Sequence, residues 1–394
     1  MIHEAYQLHK QDQERLLAKK NQIDPSFYNG VMTRYLYPVL TKDHVPIEWR
    51  FTLDQATNPY FMERLGINSV FNAGSLYFHG EYYLMARVEG TDRKSFFALA
   101  KSPNGIDQFR FVGEPIMWNC PDPEETNVYD MRLTLHEDGY IYGLFCSEAK
   151  DPTSPPDDTV SAIARVGVLR TKDLVHFERL PNLVTPGVQE RNVALHPEFV
   201  KGKYLLYTRP QDGFIETGSG GGIAIGFTDS MEKGVIKEEI LIAKKRYHTI
   251  YELKNGIGPA PIKTRNGWIH FAHGVRNTAA GLRYVLYLFV TALSDPTQII
   301  AQPSGYLLAP YQEERIGDVS NVLFTNGVIV NEKEEVFLYY AASDTRLHVA
   351  TTTISKLLDY AFHSPKEAFN SFDCVQQRLT IIQENEHSLK QSKK

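Results

Sequence analysis

A short phrase is repeated five times along this chain, in which one or two turn residues precede an aromatic-rich run of strand formers. The copies are HGEYYLMARVEG from His79, DGYIYGLFCSE from Asp138, KGKYLLYTRP from Lys201, NGWIHFAHGV from Asn266 and KEEVFLYYAASD from Lys333. Successive copies are 59, 63, 65 and 67 residues apart, counted between Glu81, Tyr140, Lys203, Trp268 and Glu335. Self-similarity at a nearly fixed long period indicates a repeat architecture, so this feature restricts the fold more than any other.

Each repeat predicts a β-hairpin followed by outer strands. A strand that begins with polar residues precedes the phrase, as in INSVFNAGSLYF and NVYDMRLTLHE, and a short turn joins the two. Runs with period 2 that are bounded by turn residues are typical of antiparallel hairpins. Five such units predict an all-β fold, a five-bladed β-propeller with four strands in each blade. A β-sandwich is the alternative, but it does not predict a repeated phrase at this period.

The ends of the chain carry different signals. Residues 2 to about 22 are polar and lack Gly and Pro, which predicts an N-terminal helix that packs on the flank of the body or on a partner subunit. Prolines interrupt residues 23 to about 65, where we expect an irregular lead-in. From about residue 375 the chain is polar, and we expect a mobile tail. The predicted domains are residues 1–45 for the helix and lead-in, 46–362 for the propeller and 363–394 for the C-terminal extension.

Composition excludes several classes of function. The formal net charge is −5, from 42 basic and 47 acidic side chains, which argues against a nucleic-acid or membrane partner. The three cysteines show no paired spacing, so we expect neither a disulfide framework nor a metal site; they are Cys120, Cys146 and Cys374. No signal peptide and no apolar run of about 20 residues is present. We therefore expect a cytoplasmic protein without cofactor or metal.

Polar residues cluster at the strand ends of the predicted hairpins. The start of the first strand and the end of the second lie at the same edge of an antiparallel hairpin. In a propeller these edges meet at one mouth of the central channel. A single charged pair at such an edge is usually structural, but eight charged or ionisable side chains in a buried funnel require partners or a ligand. These eight are Arg87, Asp130, Arg132, Arg191, Arg209, Lys254, His273 and Asp344.

The sign of these charges indicates the ligand. Arg191, Arg209, Lys254 and His273 come from the third and fourth repeats, and such a cluster predicts an anion site. Carboxylates come from the other repeats, namely Asp130, Asp344 and Asp318. Cations that face carboxylates around a wet funnel suit a polar substrate together with an oxyanion. A sugar and a phosphate are the natural pair.

Several of these strand-end motifs resemble the mannoside phosphorylases of glycoside hydrolase family 130. The similar segments are NVYDMRLT with GLFCSE, QERNVALHPEF with YTRP, KNGIGPAPIKT with the later HGV, and YYAASDT, within roughly residues 45–360. Members of this family are five-bladed propellers. The block NVYDMRLTLHEDGYIYGLFCSE is most similar to the branch that acts on 4-O-β-D-mannosyl-D-glucose. The resemblance implies that phosphate attacks the β-mannoside with inversion and releases α-D-mannose 1-phosphate and glucose.

The resemblance also implies roles for individual residues. Asp130 would be the general acid. The residues expected to bind phosphate are Arg191, Asn192, Arg209, Lys254 and His273. Those expected to bind the mannosyl unit are Asn72, Arg87 and Asp344, and position alone adds Tyr129, Arg132 and Asp318 to the substrate-binding set. A phosphorylase needs no general base, unlike an inverting hydrolase, because phosphate is already an anionic nucleophile.

Alternatives to this function remain open. A phosphorylase of β-1,4-mannooligosaccharides or of other β-mannosides uses the same acid and the same cations. An inverting hydrolase requires a second carboxylate as base, and a non-catalytic carbohydrate-binding propeller requires no acid. The expected partners are the disaccharide and phosphate. The N-terminal helix and the resemblance further suggest a homo-oligomer.

Overall fold

A computed structural model describes residues 2–118 and 122–392 of the chain, and Cys120 lies outside these ranges. Four α-helices and two short 3-10 helices are present in the described residues. The α-helices are α1 (Glu4–Leu17), α2 (Ile47–Arg50), α3 (Ile354–His363) and α4 (Ser371–Gln391). The 3-10 helices are Lys42–His44 and Gln312–Arg315.

Most of the regular structure is β-strand. The strands in the first half of the chain are β1 (Thr33–Arg34), β2 (Ile67–Phe78), β3 (Glu81–Gly90), β4 (Ser95–Ser102), β5 (Arg110–Phe111), β6 (Glu125–Leu135), β7 (Ile141–Lys150), β8 (Ala162–Thr171), β9 (Glu178–Leu183), β10 (Gln189–Glu190) and β11 (Ala194–Leu195). Those in the second half are β12 (Tyr204–Thr208), β13 (Pro210–Gln211), β14 (Ile223–Thr228), β15 (Glu239–Ala243), β16 (Lys254–Ile257), β17 (Ile262–Thr264), β18 (Gly267–Thr278), β19 (Gly281–Thr291), β20 (Ile299–Ala301), β21 (Leu323–Val330), β22 (Glu335–Ala342) and β23 (Arg346–Thr353).

In the described part of the chain these strands form five antiparallel groups. The first four groups are β2–β5, β6–β9, β11 with β12, β14 and β15, and β16–β20; the fifth is β21–β23 with β1 at its outer edge. Strands β10 and β13 pair with each other beside the third group. Neighbouring groups contact one another in chain order, and β21 of the fifth group contacts β2 of the first, so the contacts run in a ring. A parallel pairing at Gly74 and Asn326 makes this last contact.

The five predicted hairpins are confirmed. The repeated phrase forms β3, β7, β12, β18 and β22, and each of these strands pairs in antiparallel register with a strand that precedes it. Strand β18 is long enough to pair with both β16 and β17. The turn residues at the start of each phrase therefore mark the hairpin turns, as the period-2 pattern indicated.

Hydrophobic clusters lie between neighbouring groups. Met85 and Phe97 of the first group pack against Met131 and Phe145 of the second. Further buried clusters join the second group to the third, the third to the fourth, the fourth to the fifth and the fifth to the first. Burying each large apolar side chain contributes roughly 1.5–3 kcal/mol. The strand bodies resemble each other because each must fill the same kind of interface.

The predicted N-terminal helix is confirmed over Glu4–Leu17 and packs on the flank of the body. Its buried Gln13 donates from Nε2 to the backbone oxygens of Asp43 and Val45, at 3.1 and 2.8 Å. The helix ends before residue 22 because Asn21 is held by tertiary hydrogen bonds: its Nδ2 donates to Tyr37 O at 2.8 Å, and its Oδ1 accepts from Tyr37 N at 3.0 Å. Those bonds satisfy polar groups that a longer helix would leave unpaired.

The polar segment from about residue 375 is helical, because α4 covers it, and its mobility stays a prediction. Asn370 caps α4 by accepting a hydrogen bond from Asp373 N at 2.8 Å, and no Gly or Pro interrupts the helix. The polar composition that suggested a tail consists largely of Glu, Gln, Lys and Leu, which are good helix formers. In the described ranges, neither α4 nor any other helix is long and apolar enough to cross a membrane.

Candidate active site

A cavity of about 650 Å³ is lined by residues that lie on or beside strands of all five groups. Nine of the twelve residues predicted for the site line it. These nine are Asn72, Arg87, Tyr129, Asp130, Arg191, Asn192, Arg209, Lys254 and Asp344. They span most of the chain, so their convergence comes from the ring of strand groups and not from any local motif.

Three of these residues reach the cavity through the same backbone conformation. Asn72, Asp130 and Asn192 have φ values of 44°, 62° and 58°, in the left-handed region. The register of β2 with β3 shifts beside Asn72, and that of β6 with β7 shifts beside Asp130, so both residues lie in β-bulges. Asn and Asp tolerate positive φ better than other residues with a Cβ atom, and such strain often occurs at functional sites. Three successive repeats thus present an amide or a carboxyl group to one cavity.

Asp130 is held by two of the residues predicted to bind the sugar. Its Oδ1 accepts hydrogen bonds from Asn72 Nδ2 at 2.8 Å and from Arg87 Nη1 at 3.2 Å. Arg87 also donates to Ser95 Oγ at 2.9 Å and is paired with Glu89. Burial alone would lower the pKa of Arg87, but Asp130 and Glu89 hold it above its ordinary value. The Asp130 carboxyl group therefore stands in a fixed network that a sugar hydroxyl can join.

Asp344 lies in the tight turn between β22 and β23. Ser343 and Asp344 both have positive φ, 50° and 52°, where Asn-Gly is the preferred pair. Ser343 Oγ donates to Glu314 O at 2.7 Å, which fixes the turn. Burial, followed by repulsion from Asp130, raises the pKa of Asp344 to about 7, although Arg87 opposes the shift. At neutral pH the Asp344 carboxyl is thus divided between its neutral and its ionised form.

Arg191, Arg209 and Lys254 form one side of the cavity, which we call the cationic wall. Nε and Nη2 of Arg191 and Nε of Arg209 are buried without a hydrogen-bond partner in residues 2–118 and 122–392. The Arg191 guanidinium lies 3.8 Å from the centre of the Phe214 ring. Burial, together with repulsion from Arg209 and Arg191, lowers the pKa of Lys254 to about 8. Buried donors without acceptors next to like charges are the surroundings that an oxyanion would complete.

Two predicted site residues, His273 and Arg132, lie behind the residues that line the cavity. Nε2 of the buried His273 is 3.3 Å from Arg209 Nη1 and 3.4 Å from Asn192 Nδ2. Burial, with Arg209 next in importance, lowers the pKa of His273 well below its ordinary range, so the ring is neutral and its Nε2 can accept. Arg132 donates to Asn192 Oδ1 and to Asp130 O, both at 3.0 Å. Both side chains therefore support lining residues instead of facing the cavity.

Asp318 also differs from the expectation. It is exposed and accepts a hydrogen bond from Asn68 Nδ2, and it is absent from the lining of the described cavity. Its backbone N donates to Thr345 Oγ1 at 3.2 Å, beside the turn that carries Asp344. Asp318 thus belongs to the rim, where it supports the loop next to the site.

Several residues that line the cavity were not predicted from the sequence. Glu89 and Glu148 lie at the end of the repeated phrase in β3 and β7, so the strand-end rule covers them, but neither was assigned to the site; Glu148 accepts from Tyr129 Oη at 2.9 Å. Tyr284 lies on β19, the third strand of its hairpin group, and Phe214 lies in a loop after β13. The rule for hairpin edges does not cover such positions.

Comparisons with known proteins agree with the resemblance seen in the motifs. Residues 42–362 match the model of glycoside hydrolase family 130, described as β-1,4-mannooligosaccharide phosphorylase. The chain is 57% identical, over 94% of its length and 95% of the relative's, to a 4-O-β-D-mannosyl-D-glucose phosphorylase of Bacteroides fragilis. It is 25% identical over 86% of its length to a β-1,4-mannooligosaccharide phosphorylase of Ruminococcus albus, of which 93% is covered.

A solved structure gives the same result for the fold. The structure of β-1,2-mannobiose phosphorylase from Listeria innocua superimposes with a TM-score of 0.64 at 20% identity, covering 76% of this chain and 94% of that one. The family match over residues 42–362 and the 57% identity show the relationship directly. The chain therefore belongs to glycoside hydrolase family 130.

Proposed function

We propose that the protein is an inverting phosphorylase that converts 4-O-β-D-mannosyl-D-glucose and inorganic phosphate into α-D-mannose 1-phosphate and D-glucose. One observation carries the proposal: a carboxyl group, Asp130, shares a cavity with a wall of buried cations, in which Nε and Nη2 of Arg191 and Nε of Arg209 have no hydrogen-bond partner among residues 2–118 and 122–392. The relative from Bacteroides fragilis, which bears the name of this activity, supports the choice of disaccharide.

The cationic wall would bind phosphate and hold it behind the anomeric carbon. One phosphate oxygen forms the new bond to C1 while the bond from C1 to O4 of glucose breaks. Fixed cations in a buried site stabilise the developing charge without reorganising, and they place the nucleophile in line. Since phosphate is already anionic, this reaction requires neither a general base nor a cofactor.

Asp130 would supply the proton that the departing O4 of glucose must receive, either directly or through a hydroxyl of the bound sugar. Its hydrogen bonds with Asn72 and Arg87 place the acid next to the side chains proposed to hold the mannosyl unit. Asp344 completes this set from the fifth strand group, which contacts the first. Arg132 and His273 act as positioning residues behind them.

The ring of contacts between the strand groups supports a five-bladed β-propeller, with β1 closing the last blade.

We also infer self-association through α4. Its exposed side chains Phe372, Val375, Leu379, Ile382 and Leu389 follow a spacing of three and four residues, with Glu386 in the same row. Such a row is the pattern of a helix that pairs with another helix.

The thiols of Cys146 and Cys374 are free, which fits a cytoplasmic location.

The decisive assay supplies the disaccharide with and without phosphate and measures mannose 1-phosphate, mannose and glucose. Phosphate-dependent formation of mannose 1-phosphate is expected. Free mannose formed equally well without phosphate would instead indicate the hydrolase. Of the further carboxyl groups near Asp130, Glu89 and Glu148 are already engaged by Arg87 and Tyr129, and Asp344 is proposed to hold the mannosyl unit. That engagement favours phosphorolysis.

A further inference from the structure

An aromatic ring covers the guanidinium of one member of the cationic wall. The Arg191 guanidinium lies 3.8 Å from the centre of the Phe214 ring. Across the described ranges the Arg191 side chain makes no hydrogen bond and no ion pair, and its Nε and Nη2 are buried without partners. The orientation of this guanidinium therefore depends on packing, and the ring is its stacking partner. The reaction proposed above gives Phe214 no role.

Stacking suits an arginine that binds an anion. The attraction between a cation and an aromatic ring acts on the flat face of the guanidinium and leaves its N–H groups, which lie in the plane, available to oxygen atoms. Nε and Nη2 lie along one edge of that plane, where an oxyanion can accept from both. Phe214 can thus orient Arg191 without using its donors.

The position of Phe214 is set by two neighbouring strand groups. Its loop follows β13 of the third group and closes on itself, because Gly213 N donates to Glu216 O at 3.0 Å. The half-buried ring packs against a buried cluster of the second group, formed by Tyr129, Cys146 and Ala164. The ring therefore has a fixed seat beside the cavity that it lines.

Gln211 joins this loop to the other arginine of the wall. It is 3% exposed and lies in β13, three residues before Phe214. Its Nε2 donates to Gly213 O at 2.8 Å and to Phe214 O at 3.1 Å. Its Oε1 accepts from Arg209 Nη2 at 3.2 Å. One buried amide therefore connects the backbone that carries the ring to the Arg209 guanidinium.

Both groups that hold the arginines are uncharged. Carboxylates in the places of Gln211 and Phe214 would also hold them, but they would cancel part of the positive charge that the cavity presents. An amide and an aromatic ring keep that charge, and Nε of Arg209 still has no partner among the described residues. The arrangement therefore fixes two cations and leaves them able to bind an oxyanion.

We propose that Gln211 and Phe214 are positioning residues that hold Arg209 and Arg191 in one geometry for phosphate without neutralising them. The consequence for phosphate rests on the function proposed above. Binding of inorganic phosphate, measured without turnover, tests the positioning separately from the reaction.

The role of the ring is tested by initial rates over a matrix of both substrate concentrations. Phe214→Leu keeps an apolar side chain and removes the aromatic face, so we expect the KM for phosphate to rise roughly 3- to 30-fold, with the KM for the disaccharide within about twofold of the parent value. Phe214→Tyr keeps the face and should leave the phosphate KM within about twofold. A rise in the disaccharide KM alone would make Phe214 a sugar contact and would overturn the role.

Phe369→Leu is the matched control for F214L. Phe369 also stacks on a guanidinium, that of Arg246 at 3.1 Å, but neither residue lines the cavity. Both KM values of F369L should equal those of the parent protein. A rise in phosphate KM for F369L as large as that for F214L would show that the effect is not specific to the cationic wall and would refute the assignment.

The link through Gln211 is tested by a double-mutant cycle. Gln211→Leu removes the acceptor for Arg209 and the donor to Phe214 O, so the phosphate KM should rise roughly 2- to 10-fold. If the two residues hold the arginines together, Q211L combined with F214L should raise the phosphate KM by less than the product of the two single effects. Effects that multiply would show that the residues act independently, which contradicts the link.

Thermal unfolding shows whether each variant folds. If Q211L does not fold, the comparison of F214L with F214Y still decides, since equal phosphate KM values for these two contradict the proposal. Calorimetric titration with inorganic phosphate repeats the comparison without turnover. A parent protein that binds phosphate without phosphorolysis would refute the proposed function and leave this titration valid. Active parent protein together with an F214L variant of unchanged phosphate KM would refute the positioning role alone.

Discussion

Asp130 accepts a 2.8 Å hydrogen bond from the side-chain amide of Asn72, and both residues lie in β-bulges with left-handed backbone conformation. The two strands that carry them, β2 and β6, belong to neighbouring groups. The proposed acid and a proposed sugar-binding residue are therefore fixed to each other before substrate arrives. A preorganised pair of this kind loses little entropy when the transition state forms.

Asp130→Asn is expected to lower kcat by roughly two to four orders of magnitude, because an amide cannot deliver the proton. Disaccharide binding, measured by calorimetry, should persist, since Asn keeps an acceptor for Asn72 and Arg87. Asp359→Asn, at an exposed residue of α3 paired with His363, is the control and should retain parent activity. Normal turnover by D130N would remove Asp130 from its role as acid and would favour a non-catalytic or differently catalysed reaction.

Arg191→Ala is expected to act on phosphate and not on the sugar. A charge-assisted hydrogen bond contributes about 1.5–3 kcal/mol, which corresponds to a rise of roughly 10- to 150-fold in the KM for phosphate. Initial rates measured over a matrix of both substrate concentrations separate the two constants. Arg170→Ala, at an Arg outside the cavity that is paired with Glu178 and Glu232, serves as control. Equal changes in both constants would contradict a dedicated phosphate wall.

The lowered pKa of Lys254 predicts that the apparent KM for phosphate depends on pH. Burial, with repulsion from Arg209 and Arg191, lowers its pKa to about 8, so the ammonium group is charged below pH 8 and loses its proton as the pH rises through that value. The apparent KM for phosphate should therefore rise above pH 8. Lys254→Arg keeps its charge throughout and should move this rise to higher pH. Lys203→Arg, at a surface Lys paired with Asp229, is the control and should show the same KM for phosphate at each pH as the parent protein. If K254R also shows the parent pH dependence, Lys254 is not the group that causes it.

Self-association through α4 is tested by placing charged side chains in its exposed apolar row. Leu379→Glu with Ile382→Glu places two carboxylates in the exposed apolar row and should produce monomers in light scattering coupled to gel filtration. Thr380→Glu with His387→Glu adds the same groups on another face of the helix and should leave the assembly unchanged. An unchanged mass for the first variant would place the interface elsewhere.

The sequence predicted the hairpins and most of the cavity because both depend on local patterns repeated in register. It misplaced Arg132 because the bulge beside Asp130 breaks the period-2 alternation that would put the two side chains on the same face. The α4 helix was missed because a polar helix and a polar tail have nearly the same composition.

We predict that a substitution at Asp344 which raises the stability of the protein lowers its activity. Its pKa of about 7 exceeds the ordinary value of 3.8, so Asp344 ionises at lower pH in the unfolded chain than in the folded protein. The free energy of unfolding therefore falls as the pH rises from about 4 to 7 and stays constant above that range. Asp344→Asn removes this penalty and tolerates positive φ, so it should stabilise the protein at pH 7.5 by about 2 kcal/mol, allowing for solvent at the cavity. The gain should shrink towards zero at pH 4, while turnover falls because a proposed sugar contact is altered. Denaturant unfolding at both pH values measures this gain in the free energy of unfolding. Asp359→Asn is the control for a change of charge at the surface. A destabilised D344N at pH 7.5 would show that the ionised carboxylate, through Arg87, supports the fold.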